Sequence, residues 1–446
     1  MPAPASTSRS AELSQASSES IFPRGYLTSF LLTVSIFFIW GMSNNLTDIL
    51  VQQFRKTFEL NLLEAQLVQT ANFLAYAVMA TPAAFLIRRF GYRAGLVTGL
   101  VSFATGMLMF WPAAIIGRYA PFLISIFIVG CGASILETAA NPLIAQFGSS
   151  DTSEERLNFA QAFNPPGTIT GVLVGTWFIF SGVEKTKTQV AAMRAQGTYA
   201  AYLHAEVLRV VPTYIILGAI VLILAFLISR SGFPARLDSN EEAGPGGPRA
   251  AYRRLLRTPS LLAAILAMFV YNGAQVSTWS NLIPYLRLYT PLSDRGAGYW
   301  LTGTLVALAL GRIVSTPLMR VFKPALMIAA YAVVNIMLLT VGIVHPGYAG
   351  AGAILVTSFF MSLMYPTIFA LGVKGLGPDT KLAGSLLVMA IVGGAVFPPL
   401  VGLVARLTGS LAVGYTVPLS GYVVIAAYGF FVRSRAVPVT SSSLIA

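Results

Sequence analysis

The chain has little of what most enzymes use: one cysteine and two histidines in 446 residues. Cys131 stands alone between Gly130 and Gly132, so no intrachain disulfide can form and a packing role is expected of it. His204 and His345 fall in predicted loops, without the ligand spacing of a metal site or a nucleophile and base at reacting positions. Charge is also scarce, at 10% of residues against roughly 25% in an ordinary soluble domain. Only sixteen residues are acidic. These shortages exclude a soluble charged surface and leave an enzyme active site as a remote alternative. No catalytic residue, metal or cofactor is expected.

What the chain has instead is apolar length, with 56% hydrophobic residues in long runs. A helix that crosses a bilayer needs about 20 mostly apolar residues. Twelve such runs are predicted, over 26 to 51, 61 to 87, 94 to 116, 121 to 147, 157 to 182, 209 to 229, 260 to 287, 296 to 319, 325 to 344, 349 to 373, 381 to 405 and 412 to 432. Continuous apolar runs rule out the alternating strands of a barrel, and the backbone in lipid then has only the helix available. The fold class is an all-α integral membrane protein with twelve transmembrane helices in two six-helix bundles.

The domain plan follows the polar punctuation. Residues 1 to 25 and 434 to 446 read as cytoplasmic tails, the first of them disordered. Residues 26 to 229 form an N-terminal bundle, 230 to 258 a cytoplasmic linker with Gly244, Pro245, Gly246, Gly247 and Pro248, and 259 to 433 a C-terminal bundle. Such paired bundles rock around a site near the bilayer midplane. The net charge of +13 points to topology, not nucleic acid, because the basic residues gather in alternate loops. With both termini in the cytoplasm, that side holds most of them.

Two carboxylates lie inside predicted spans, Asp48 in the first and Glu137 in the fourth; the other fourteen fall in tails, loops or span ends. A carboxylate at membrane depth costs several kcal/mol and by default marks a functional pathway. A capping role near the outer end of its helix is the alternative for Asp48. Helical spacing sets Trp40, Asn44 and Asp48 on one stripe, and Glu137 with Asn141 on another. Gln161 and Asn164 are three apart, Asn272, Gln275 and Trp279 follow at i, i+3 and i+7, and Asn45 adds a further amide. Any one amide can simply join two helices. Together, amides and tryptophans suit a neutral polyhydroxylated ligand, donating, accepting and covering an apolar ring face. An anion would require cavity arginines, and only Arg312 is inside a span, where a structural or gating role is expected. A buried carboxyl favours its neutral form and releases its proton when water reaches it, which is a coupling device. The partners expected are a small neutral sugar, protons and the lipid bilayer, with no nucleic acid and no obligate protein partner.

At these residues the chain resembles the L-fucose:proton symporter (fucose permease) family of the major facilitator superfamily, over 26 to 432. The stretches that carry the likeness are Phe38-Ile39-Trp40-Gly41 with Asn44-Asn45 and Asp48-Ile49-Leu50, then Glu137-Thr138-Ala139-Ala140-Asn141-Pro142. Leu157 to Gln161 with Phe163-Asn164, Leu301 to Thr304, Gly311-Arg312 and Tyr365-Pro366-Thr367-Ile368-Phe369 continue it. The resemblance implies that Asp48 and Glu137 are the protonatable pair and that Trp40, Gln161, Asn164 and Tyr365 border the sugar cavity; Gln275 also matches a motif of the seventh helix. It implies import of a neutral monosaccharide, L-fucose or a related sugar, by alternating access in a bacterial-type inner membrane. A glucose/galactose-type symporter and a passive uniporter are the alternatives. Two departures stand out: Arg88 occupies the usual acidic place of the loop motif after the second helix, and Pro165-Pro166 follow Asn164.

Overall fold

The computed structural model describes residues 25–147, 159–183, 185–233, 252–319, 321–374, 376 and 380–435. The expected tails, apart from Gly25 and the helical residues 434 and 435, and the Gly-Pro stretch of the linker lie outside these residues. Every regular element among them is helical. Among the described residues, eleven helices are long and apolar enough to cross a membrane. The first half supplies α1 (Leu27–Thr57), α2 (Leu62–Ile87), α3 (Arg89–Ile116) and α4 (Tyr119–Gln146), with α6 (Val210–Arg230) closing it. In the second half, α7 runs Pro259–Ser280 with a continuation Leu282–Tyr289, followed by α8 (Asp294–Leu318) and α9 (Pro324–Val344). Then come α10 (Tyr348–Met361 with Met364–Val373), α11 (Thr380–Met389, then Gly393–Thr408) and α12 (Thr416–Arg435).

The predicted fifth span is the one that differs. Its described part breaks at residues 162 and 163, restarts as α5 (Asn164–Val174) and widens into a π-helical turn, Gly175–Ile179. The cause is Pro165-Pro166: neither has an N–H to donate to the carbonyls of Gln161 and Ala162, so the helix cannot run through, whereas both are tolerated in a helix's first turn, where no amide donor is needed. Two other expectations also shift. α1 continues past residue 51 to Thr57, so Asp48 sits nine residues from the end and the capping alternative falls away. His204 belongs to a helix, not a loop: two short helices, Lys187–Ala195 and Tyr199–Leu208, bridge α5 to α6.

Local chemistry sets the boundaries. Asn61 and Glu64 form a reciprocal capping box that starts α2, each side chain accepting from the other's backbone N–H at 2.9 Å. Near the start of α3 the chain kinks at Gly91, whose φ of 82° suits glycine.

The crossing of α1 and α5 positions the site. Gly167 and Gly171 are so close to α1 that an added Cβ would lie 2.1 Å from the carbonyl oxygens of Phe38 and Met42. Gly41 in turn packs on Asn164, where a Cβ would lie 2.6 Å from the carbonyl oxygen. The second half repeats the device, where a Cβ on Gly393 of α11 would lie 1.8 Å from the Phe269 carbonyl oxygen of α7. Small residues let backbones touch where lipid supplies no hydrophobic drive between helices.

The halves meet at the end that carries residues 57–62 and 289–294. Gln66 donates to Asn281 at 2.8 Å, Gln52 to Asp294 at 2.9 Å and Trp177 to Tyr299 at 3.0 Å. Arg295 reaches the Phe180 carbonyl oxygen at 3.2 Å, and Thr70 that of Ala395 at 2.8 Å.

Candidate functional site

Asp48 and Glu137 are both buried, at 5% and 8% exposure, yet they occupy different surroundings. Asp48 Oδ1 accepts from Gln69 Nε2 of α2 at 2.8 Å, and Thr47 lies within 3.4 Å of the same amide's oxygen. Glu137 faces a small cavity of about 10 Å³ bordered by Ile36, Phe37, Trp40, Leu136, Ala140 and Asn141. That is room for about one water. Among the described residues, Glu137 Oε2 has no hydrogen-bond partner.

Several residues expected at the site gather around Glu137. Asn141 Nδ2 caps the Glu137 carbonyl at 3.2 Å, and its oxygen accepts from Gln161 Nε2 at 2.9 Å. Trp40 Nε1 donates to Tyr76 Oη at 3.0 Å, and the Tyr76 phenol lies within electrostatic reach of Glu137 and Asn44. Asn164 Nδ2 donates to the Phe37 carbonyl at 3.3 Å, just across the glycine crossing. From the second half, Tyr365 comes within electrostatic reach of Glu137 and Tyr76, and its ring lies 6.4 Å from that of Tyr271. Gln275 donates to the Tyr271 hydroxyl at 2.8 Å, and Arg312, itself exposed, acts electrostatically on the same phenol.

Three expected residues stand elsewhere. Asn45 turns back on its own helix to the Gly41 carbonyl, Asn272 does the same to Met268, and Trp279 donates to Ser358 of α10 at 2.9 Å. Conversely, Gln69, Asn72, Tyr76 and Tyr271 went unnoticed in the sequence. The first three had a readable signal, since polar residues at i, i+3 and i+7 in an apolar helix form one stripe.

Burial also enlarges the set of interior acids. Asp294 and Glu206 lie at span ends yet are 6% and 5% exposed. Asp294 pairs with Arg287 at 3.1 Å, and Glu206 with Lys56 at 3.2 Å. Lys56 and Arg287 border an open vestibule of about 440 Å³ with Gln52, Arg55, Glu59 and Tyr199.

The chain is similar to known proteins along most of its length. The model of the Major Facilitator Superfamily matches residues 29–398. The L-fucose-proton symporter of Escherichia coli strain K12 is 39% identical over 92% of this chain and 94% of its own length. A glucose/galactose transporter of Brucella abortus is 33% identical, covering 90% of this chain and 93% of that one. Among solved structures, a Major Facilitator Superfamily transporter, FucP, in the outward conformation superposes with a TM-score of 0.70 at 39% identity, covering 92% of this chain and 99% of that one.

Proposed function

The chain belongs to the Major Facilitator Superfamily, and from that premise we propose that it is a proton-coupled symporter that imports a neutral monosaccharide, L-fucose or a close relative, by alternating access. The observation that carries the reading is Glu137: a buried carboxylate, one oxygen of which has no partner among the described residues, beside Trp40 and the Asn141–Gln161 pair and within electrostatic reach of Tyr365 of the other half. Amides offer a sugar both donors and acceptors, and aromatic faces cover its apolar side. Trp40, Asn44, Asn141, Gln161, Asn164, Gln275 and Tyr365 are assigned to the sugar, Asp48 and Glu137 to the proton, and Arg312 to gating or structure. Nothing in this set pairs a nucleophile with a base, so the chain is read as a carrier and not an enzyme.

The two bundles, 26 to 229 and 259 to 433, are read as the rocking units, in a bacterial-type inner membrane with both termini cytoplasmic. The basic loops at that end support the orientation. The contacts from Gln66 to Asn281 and from Gln52 to Asp294 then lie outside, and they are read as the closed outer gate.

Adding L-fucose to de-energised cells that express the chain should make the medium alkaline, because each sugar entering takes a proton with it. Sugar uptake without alkalinisation would mean a passive uniporter. The Brucella relative favours glucose or galactose as a second cargo, and competition of labelled L-fucose uptake by a panel of sugars decides between them.

The gate reading makes its own prediction. Asp294→Ala removes the acceptor for Gln52 and the partner of Arg287, a loss worth about 1 to 3 kcal/mol. The closed outer state should lose population by roughly ten- to a hundredfold. Position 70 reports on this, since Thr70 bridges the halves. With Cys131→Ser as background, Thr70→Cys should react faster with an impermeant thiol reagent when Asp294→Ala is present; an unchanged rate would remove Asp294 from the gate.

A further inference from the structure

We infer that the face of α2 carrying Gln69, Asn72 and Tyr76 is a proton relay that joins Asp48 to Glu137, with water held by its amides. The inference rests on the proton:sugar symport proposed above. It begins from a distance. Asp48 meets Gln69 and Trp40 meets Tyr76, so α1 and α2 pass antiparallel, and seven residues of helix, about 10 Å, separate the two levels. Glu137 lies at the far level, sharing a cavity with Trp40, Phe37 and Ile36. A direct transfer requires hydrogen-bond reach, or one intervening water. The two carboxyls therefore need carriers between them.

The register supplies the place for them. With 48 opposite 69 and 40 opposite 76, Asn44 and Asn72 fall level with each other between the two carboxyls. Asn72 is fully buried, and among the described residues neither its Nδ2 nor its Oδ1 has a hydrogen-bond partner. The same is true of Asn44 Oδ1 and Glu137 Oε2. Buried amides are almost always satisfied by protein or by ordered water, and four open atoms along one seam are enough polar partners to hold water.

The chemistry divides between two kinds of group. An amide donates and accepts hydrogen bonds but does not readily surrender a proton, so Asn44 and Asn72 orient water. Water and the Tyr76 hydroxyl carry the proton, each accepting one and releasing one. The net step takes the proton from the Asp48 carboxyl to Glu137, leaving Asp48 ionised and Glu137 neutral. Tyr76 thus carries the proton and Asn72 is a positioning residue that orients water for it, and neither was evident as such from the sequence.

Two variants of similar volume test it, Tyr76→Phe and Asn72→Leu, with Asn72→Ser as the polar control. Two rates are measured in membrane vesicles: exchange of labelled for unlabelled sugar, which moves no net proton, and uptake driven by a pH gradient. The relay predicts exchange close to that of the unaltered protein and driven uptake slower by at least about tenfold, at the low end of what positioned proton transfer contributes to rates. Asn72→Ser should restore much of the driven uptake. Equal loss of both rates means a structural role and overturns the relay, as does driven uptake that stays normal in both variants. If the unaltered protein takes up sugar without alkalinising the medium, the symport reading itself fails.

Discussion

Glu137→Gln is expected to abolish uphill sugar accumulation while leaving sugar exchange in place. Glutamine has nearly the size of a neutral carboxyl and keeps its hydrogen bonding, so the Trp40, Asn141 and Gln161 surroundings survive; only the exchangeable proton is lost. The size of the effect follows from the driving force. A gradient of one pH unit supplies about 1.4 kcal/mol and a membrane potential of about 100 mV about 2.3 kcal/mol more. For one proton per sugar, these together sustain a concentration ratio of about 500-fold. The variant should fall to a ratio near one. Asp48→Asn should also prevent accumulation, and its amide keeps an oxygen that can accept from Gln69. Steady-state accumulation of labelled sugar in energised vesicles measures both. Accumulation retained in both variants would remove these carboxylates from coupling.

The second large effect is expected from a methyl group. Gly393→Ala puts a carbon where the Phe269 carbonyl oxygen already lies 1.8 Å away, well inside any real contact, and the atoms it meets, the Phe269 carbonyl and the Gly273 nitrogen, are backbone. Overpacking of a well-filled core costs typically 1 to 3 kcal/mol, and a clash between two backbones should exceed about 3 kcal/mol. Gly167→Ala and Gly171→Ala should behave alike, against Phe38 and Met42. Gly352, with nothing near its added Cβ, is the matched control and should accept alanine freely. Thermal unfolding of the detergent-purified protein, followed by loss of its monodisperse peak, separates the two groups. Equal melting of Gly393→Ala and Gly352→Ala would show that the helices can part without cost.

Much of this architecture was legible beforehand, and the failures have physical causes. Apolar run length located eleven of the twelve predicted spans among the described residues, because lipid imposes one length on all of them. It could not register the interruption at 162 and 163, since proline counts as apolar in such a reading while acting on the backbone. Asp48 and Glu137 were found because depth in a span is visible in sequence. The burial of Asp294 and Glu206 was not, as it comes from Gln52, Arg287 and Lys56 on other segments. Amides divided in the same way. Gln161 and Asn141 meet, whereas Asn45 and Asn272 satisfy themselves on their own helices, a choice that spacing alone does not decide. Gln69 and Tyr76 lie on a stripe as readable as that of the first helix, but no acid marks it.

The glycine crossings have one more consequence, for insulation. Where Gly167 and Gly171 press on the carbonyls of Phe38 and Met42, and Gly393 on that of Phe269, no gap remains for a thread of water along the seam. A carrier that lives on a proton gradient loses it through any standing wet path, however narrow. Sealing the α1–α5 and α7–α11 crossings confines hydration to the cleft between the bundles and to the short seam of α1 and α2, so an ion can pass only when the protein turns over.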